Sequence, residues 1–156
     1  MVSISVNQAR SRADIDAVRT LFVEYLNVLN TDFGKAVGCA DSQEDMQDFP
    51  QKYTGLFLAK LDGVPVAACG LIEVNHRDIE LVRLYCRPQG RGHNAGRELT
   101  DAACAYVKAH GYVRLVLSTE PVMGHAVRLY KNMGFTDIEN YADAPSACSK
   151  YMALSL

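Results

Sequence analysis

Residues 86 to 104 read CRPQGRGHNAGRELTDAAC, a stretch that sets glycines 90, 92 and 96 between a strand-like run (Ile79 to Cys86) and a helix-like run (Leu99 to His110). A glycine-rich turn entering a helix leaves several backbone N–H groups without partners, and the helix dipole adds about half a positive charge at that end. The stretch therefore demands a strand before it, a helix after it, and favours an anion between them. The plainer reading is an ordinary strand-to-helix turn with glycines for geometry. Arg91 and Arg97 beside the turn favour phosphate.

Two familiar phosphate loops do not fit. A P-loop needs Gly-Lys-Ser/Thr, which is absent. A dinucleotide fingerprint needs G-x-G-x-x-G, whereas Gly90, Gly92 and Gly96 leave one residue too many before the last glycine. Glu120 after the next strand imitates a ribose-binding acid. The preceding strand, however, is half polar (Glu80, Arg83), and too little chain remains for a nicotinamide half.

The flanking elements follow from periodicity. Ile15, Val18, Leu21, Phe22, Tyr25, Leu26 and Leu29 recur at helical spacing behind Ser11-x-x-Asp14, which resembles a capping box. Ser42-x-x-Asp45, followed by Met46 and Phe49, predicts a short second helix stopped before Pro50. LFLAKL (56–61), Asp62-Gly63 and VPVAACGLI (64–72) predict a hairpin on a tight two-residue turn. A helix stripe from Leu99 ends at Gly111, and VRLVLS (113–118) follows as a strand. Pro121 opens a last helix that carries Val122, Ala126, Leu129, Tyr130 and Met133 and ends at Gly134. Short strands near 138–141 and 150–154 finish the chain. With β1 at Ile4 to Val6, the order predicts an α+β fold with an antiparallel meander and one parallel crossover around the glycine loop.

At 156 residues the chain fits one domain, 1–156, large enough to bury roughly two thirds of the surface its unfolded form exposes. The five cysteines (39, 69, 86, 104, 148) are odd in number and form no C-x-x-C pair, which suits free thiols in a reducing interior. The N-terminus lacks a basic region followed by an apolar core, and no apolar run approaches the ~20 residues that span a bilayer, so a cytoplasmic protein without a membrane partner is expected. A net charge of −2 argues against a nucleic-acid surface. His76, His93, His110 and His125 show no H-x-x-x-H pairing, so no metal site is expected.

ELVRLYCRPQGRGHNAGREL resembles the segment of GNAT-family N-acetyltransferases in which a strand ending R-L-Y-V precedes x-P-x-x-R-G-x-G-x-G-R-x-L. Arg91, Gly92, His93, Asn94, Ala95 and Gly96 fall on R-G-x-G-x-G, with Asn94 in the middle glycine's place. Asn best tolerates the left-handed backbone that glycine would adopt, and it is also a favoured helix N-cap. TEPVMGHAVRLYKNMGF (119–135) resembles the family's A-x-x-L-Y-x-x-x-G-F, and the similarity extends over nearly the whole chain. The resemblance implies a mostly antiparallel mixed sheet, splayed between its fourth and fifth strands and flanked by helices. Acetyl-CoA would lie in the splay, its pantetheine arm against the backbone of Leu84, Tyr85 and Cys86, its diphosphate on the N–H groups of Gly92 to Arg97 beside Arg91 and His93.

Acetyl transfer needs an unprotonated amine, and deprotonating an alkylamine at pH 7 costs about 4–5 kcal/mol. The resemblance makes Glu80 the base, with Glu73 as the second candidate. It makes Tyr130 the group that offers the departing thiolate a proton or hydrogen bond, against a plain reading of Tyr130 as core. Cys86 is expected to be a wall, since no base is placed to activate it. The acceptor stays open between a small-molecule amine and a peptide N-terminus. Asp32, Asp41, Glu44, Asp45 and Asp48 against Lys35 would suit a cation, although a solvated acidic face explains them as well. Homodimer or monomer is also open. An acetyl-CoA-binding regulator without turnover and an NAD-type oxidoreductase are the alternatives to the enzyme reading.

Overall fold

The computed structural model describes residues 2–29, 31, 46–119, 123–141 and 150–156. Along the chain these form β1 (Ile4–Gln8), α1 (Arg12–Val28), β2 (Gly55–Leu61), β3 (Val64–Glu73), β4 (Asp78–Cys86), a 3-10 turn (Pro88–Gly90), α2 (Ala95–Ala109), β5 (Arg114–Thr119), α3 (Gly124–Asn132), β6 (Thr136–Ile138) and β7 (Lys150–Ser155). The strands make one sheet in the order β1-β2-β3-β4-β5-β7-β6, antiparallel throughout except for the β4–β5 pair. That parallel step is the crossover through the glycine loop and α2, because parallel neighbours need a connection long enough to return the chain to the same end.

Local chemistry explains most boundaries. Ser11 Oγ accepts the Asp14 N–H at 3.1 Å, as the capping spacing predicts, while the Asp14 carboxylate goes to Lys60 at 3.0 Å. Asp62 and Gly63 take φ of 49° and 84°, the left-handed pair that closes a two-residue hairpin. Other boundaries differ from expectation. Helix α2 starts at Ala95, four residues before the apolar stripe. Strand β6 lies at 136–138, which leaves Asn140 and Tyr141 outside it. Of the expected second helix, Ser42 and Asp45 lie outside the described residues, and Met46 to Lys52 forms turns closed by Phe49 N–H to Met46 O and Tyr53 N–H to Pro50 O. Pro121 and Val122 also lie outside the described residues.

The sheet buries a cluster on each face. Val18, Leu21, Phe22 and Leu26, one stripe of α1, pack on Leu56, Leu58, Ala68 and Tyr85. On the other face Leu99, Ala103 and Val107 of α2 and Tyr130 of α3 pack on Phe57, Leu71, Ile79, Leu81, Leu115 and Leu117. Fully burying such a Leu or Phe contributes about 1.5–3 kcal/mol, so both helical layers are firmly seated. Among the described residues no helix is long and apolar enough to cross a membrane.

Candidate active site

The sheet opens where β4 leaves β5. Their parallel pairing consists of Asp78 with Arg114, Ile79 with Leu115 and Glu80 with Val116. At the closed end Arg114 grips Asp78 with two hydrogen bonds, Nε to Oδ1 at 3.1 Å and Nη2 to Oδ2 at 2.9 Å. Beyond Glu80, β4 contains a bulge: from the Gly70–Val82 pair to the Ala68–Tyr85 pair, β3 advances two residues and β4 three. The extra residue is Arg83, at φ 55°. A bulge bends its strand and increases its twist, which carries β4 away from β5. It also reverses side-chain parity. Ile79 and Leu81 before it, and Leu84 and Cys86 after it, all pack toward the α2 cluster, whereas Val82 and Tyr85 pack toward α1. The buried Arg83 guanidinium is held by Nε donation to Tyr53 Oη at 3.0 Å and lies over the Phe22 ring, 5.8 Å from its centroid.

A cleft of about 370 Å³ lies beside the free part of β4. Tyr25, Val28 and Leu29 of α1 form one wall, Leu84, Tyr85 and Cys86 the floor, and Arg91 with Met123 to Ala126 at the start of α3 the other wall. Tyr85 stacks on Tyr25 at 5.6 Å. Glu24 takes Arg87 in a bidentate ion pair, and Arg87 also donates to the Pro65 carbonyl at 3.1 Å, so α1 is tied to the end of β4. Arg87, assisted by Tyr85, holds the Glu24 carboxyl below its usual range. Burial raises the Cys86 thiol, with Arg91 opposing it, so the sulfur is a neutral wall as expected.

The glycine loop closes the cleft's end. Gly90 is packed so tightly that a Cβ there would lie 2.8 Å from Val66 Cβ and 3.0 Å from Cys86 Sγ. Gly92 and Asn94 are both left-handed, at φ 83° and 61°. Asn94 thus keeps the backbone path expected of it. Its side chain does not cap α2; only its carbonyl engages, accepting the Glu98 N–H at 2.9 Å. The N–H groups from Gly92 to Arg97 line the turn into α2, where the first residues of a helix have no intrahelical acceptor. Gly96 lies where a Cβ would come within 3.3 Å of Leu129 Cδ2, so its lack of a side chain lets α2 approach α3.

Glu80 is the last β4 residue still paired to β5 and stands at the apex of the splay. Its carboxylate accepts a short hydrogen bond from the Tyr141 hydroxyl. Tyr130 is buried, its ring tilted against Phe135 at 5.4 Å, and its hydroxyl makes no hydrogen bond to another described residue. Burial raises the Tyr130 pKa well above its usual value, with further contributions from Tyr25 and Cys69. Glu73 is elsewhere: it follows Leu71 on the α2 face and is exposed, where the Tyr112 hydroxyl donates to it at 2.7 Å, raising the Tyr112 pKa to about 12.

The sequence model of the acetyltransferase (GNAT) family matches residues 16–135. The chain belongs to that family. An uncharacterized N-acetyltransferase of Schizosaccharomyces pombe is 30% identical to it across 99% of this chain and 96% of its own length. An acetyltransferase from Streptococcus agalactiae shares the fold with a TM-score of 0.77 at 17% identity, covering 98% of both chains. The Salmonella typhimurium protein yncA, solved with its cofactor acetyl-CoA, superposes with a TM-score of 0.70 at 16% identity over 98% of this chain and 94% of its own.

The described residues thus bring together a glycine turn at a helix start, the part of β4 that has left β5, and an apolar cleft. Among the described residues no group of three His, Cys, Asp or Glu side chains is placed to hold a metal. Tyr141, Glu24 and Tyr25 at this site were not legible as site residues in the sequence. Tyr141 sits 61 positions from Glu80, and only the sheet brings the two together.

Proposed function

We propose that this GNAT protein is an N-acetyltransferase that moves the acetyl group of acetyl-CoA to the primary amine of a small molecule or peptide by direct attack. The observation that carries this reading is the placement of Glu80 at the apex of the β4–β5 splay, where β4 leaves β5 and runs on to form the floor of the cleft. Bound acetyl-CoA supplies the activated acetyl thioester. Leu84, Tyr85 and Cys86 line its arm, and Gly92, His93, Asn94, Ala95, Gly96 and Arg97 offer backbone N–H groups to its diphosphate, with Arg91 adding charge.

Glu80 accepts the amine's proton at a carboxylate oxygen, directly or through one water, and so supplies the lone pair whose release costs about 4–5 kcal/mol at pH 7. A backbone N–H near Tyr85 polarises the acetyl carbonyl. Tyr130 holds its proton firmly, since its pKa is raised, and offers it as a hydrogen bond where negative charge gathers on the departing sulfur.

Thiol release from acetyl-CoA across a panel of small amines and peptide N-termini tests the proposal. Glu80→Gln should lower kcat/KM at neutral pH and recover at high pH, where the amine deprotonates itself. Acetyl-CoA binding without thiol release for any amine would instead support a non-catalytic regulator.

A further inference from the structure

Tyr141 belongs to no strand or helix, yet its hydroxyl is delivered to the one carboxylate at the splay's apex. Two neighbours surround it. Its ring meets Tyr151 of β7 edge-on, 5.8 Å between centroids at 88°. Tyr151 is the register partner of Ser118 on β5. The Ser118 hydroxyl acts on the same phenol, opposing the rise in its pKa that burial and the Glu80 charge produce. Tyr141 and Glu80 therefore meet across the gap where β5 and β4 have parted, with Ser118 on the neighbouring strand.

We infer that Tyr141 is a positioning residue for the proposed base: its phenol donates to a carboxylate oxygen of Glu80 and holds that carboxylate at the apex of the splay, where the amine's proton is to be taken. The inference rests on reading Glu80 as the base. A strand glutamate at a widening gap has several rotamers available, and a general base must lie within hydrogen-bond reach of the proton it takes. A neutral phenol suits the task because it cannot compete for that proton. Burial and the adjacent carboxylate keep Tyr141 protonated, so it remains a donor while Glu80 alternates between carboxylate and acid. No bond forms or breaks at Tyr141. A merely structural tie would anchor the segment after β6 and leave the chemistry untouched.

The test compares wild type, Tyr141→Phe, Glu80→Gln and the double variant, using acetyl-CoA and whichever amine of the panel turns over fastest. Removing one hydrogen bond to a charged group should cost about tenfold in kcat/KM at neutral pH. The loss should fall in kcat rather than in acetyl-CoA affinity, and the acidic limb of the profile should move to higher pH. Ser118→Ala, a milder variant, should move the limb the same way by less. In the Glu80→Gln background, Tyr141→Phe should add nothing. If it costs the same in both backgrounds, Tyr141 acts independently of Glu80, and the inference fails while the base reading stands. If Glu80→Gln keeps the wild-type rate and profile, the base reading fails and takes the inference with it. Carbon-13 NMR titration of the Glu80 carboxyl reads the contact without turnover: a titration unchanged by Tyr141→Phe overturns the contact itself.

Discussion

Single residues at this site divide by how their chemistry depends on neighbours. Tyr130 packs in a buried cluster, so Tyr130→Phe removes a hydroxyl and leaves the packing. On the reading that this hydroxyl stabilises the departing sulfur, kcat should fall by about 10² to 10³ with acetyl-CoA affinity kept, the cost typical of one donor aimed at developing charge. A fully active variant would return Tyr130 to the core. The loop residues act through backbone. Nothing lies within 4 Å of where a Cβ would stand on Gly92, so Gly92→Val costs through its φ of 83°, which a β-branched residue resists. The loop should reroute to escape that strain and carry its N–H groups with it, weakening acetyl-CoA binding tenfold or more by calorimetry. Asn94→Gly keeps an already left-handed turn, so affinity should stay equal or tighten slightly. Asn94's conformation was legible because Asn tolerates that region intrinsically. The idle state of its side chain was not, since Ser, Asp and Asn are all competent caps and only the local φ of 61° turns this one away.

Elements show a similar division. The Asp62-Gly63 hairpin turn and the glycine-capped ends of α2 and α3 follow from local turn chemistry, and the structure has them where the sequence puts them. The bulge in β4 has no such signature. ELVRLYC carries no turn residue and reads as one unbroken strand, and nothing in its composition says that Leu81 and Leu84 share a face. That parity is set by β3 across the ladder. Glu73, the second candidate in sequence, pairs with Ile79 before the bulge and is separated from Glu80 in space. The attachment of α1 to β4 is equally long-range, through Glu24 and Arg87, and makes an acid-sensitive prediction. Glu24's folded pKa is depressed, so its contribution to stability is fully present above the unfolded glutamate value near 4.3 and is lost as pH falls through the folded value. Glu24 keeps about a third of its side chain exposed, at 34%, so the pair should be worth about 1 kcal/mol at most. Urea unfolding of wild type and Glu24→Gln should differ by that much at pH 7 and converge near pH 3. A gap that persists in acid would mean the tie is packing rather than charge.

At the scale of the whole molecule, the sheet is held by clusters on both faces yet keeps one seam unzipped, from Glu80 and Val116 outward. The edge of β4, the apolar cleft and the bare N–H groups of the loop all lie along that seam, so a ligand that fills it supplies contacts the chain does not make with itself. Binding and stability are then linked. A ligand that binds only the folded state at a hundredfold excess over Kd stabilises it by roughly 2.7 kcal/mol, which for a chain of this size raises the melting midpoint by several degrees. Acetyl-CoA and CoA should both produce that shift, because diphosphate and arm are common to the two. NAD and ATP should not, since the loop lacks the glycine spacing of one site and the lysine of the other. Gly92→Val should lower the acetyl-CoA shift at a fixed concentration while changing the ligand-free midpoint less, because Gly92 is exposed and its side-chain position faces open space. A full shift in that variant would place the diphosphate elsewhere, and a shift with NAD alone would remove acetyl-CoA from this seam.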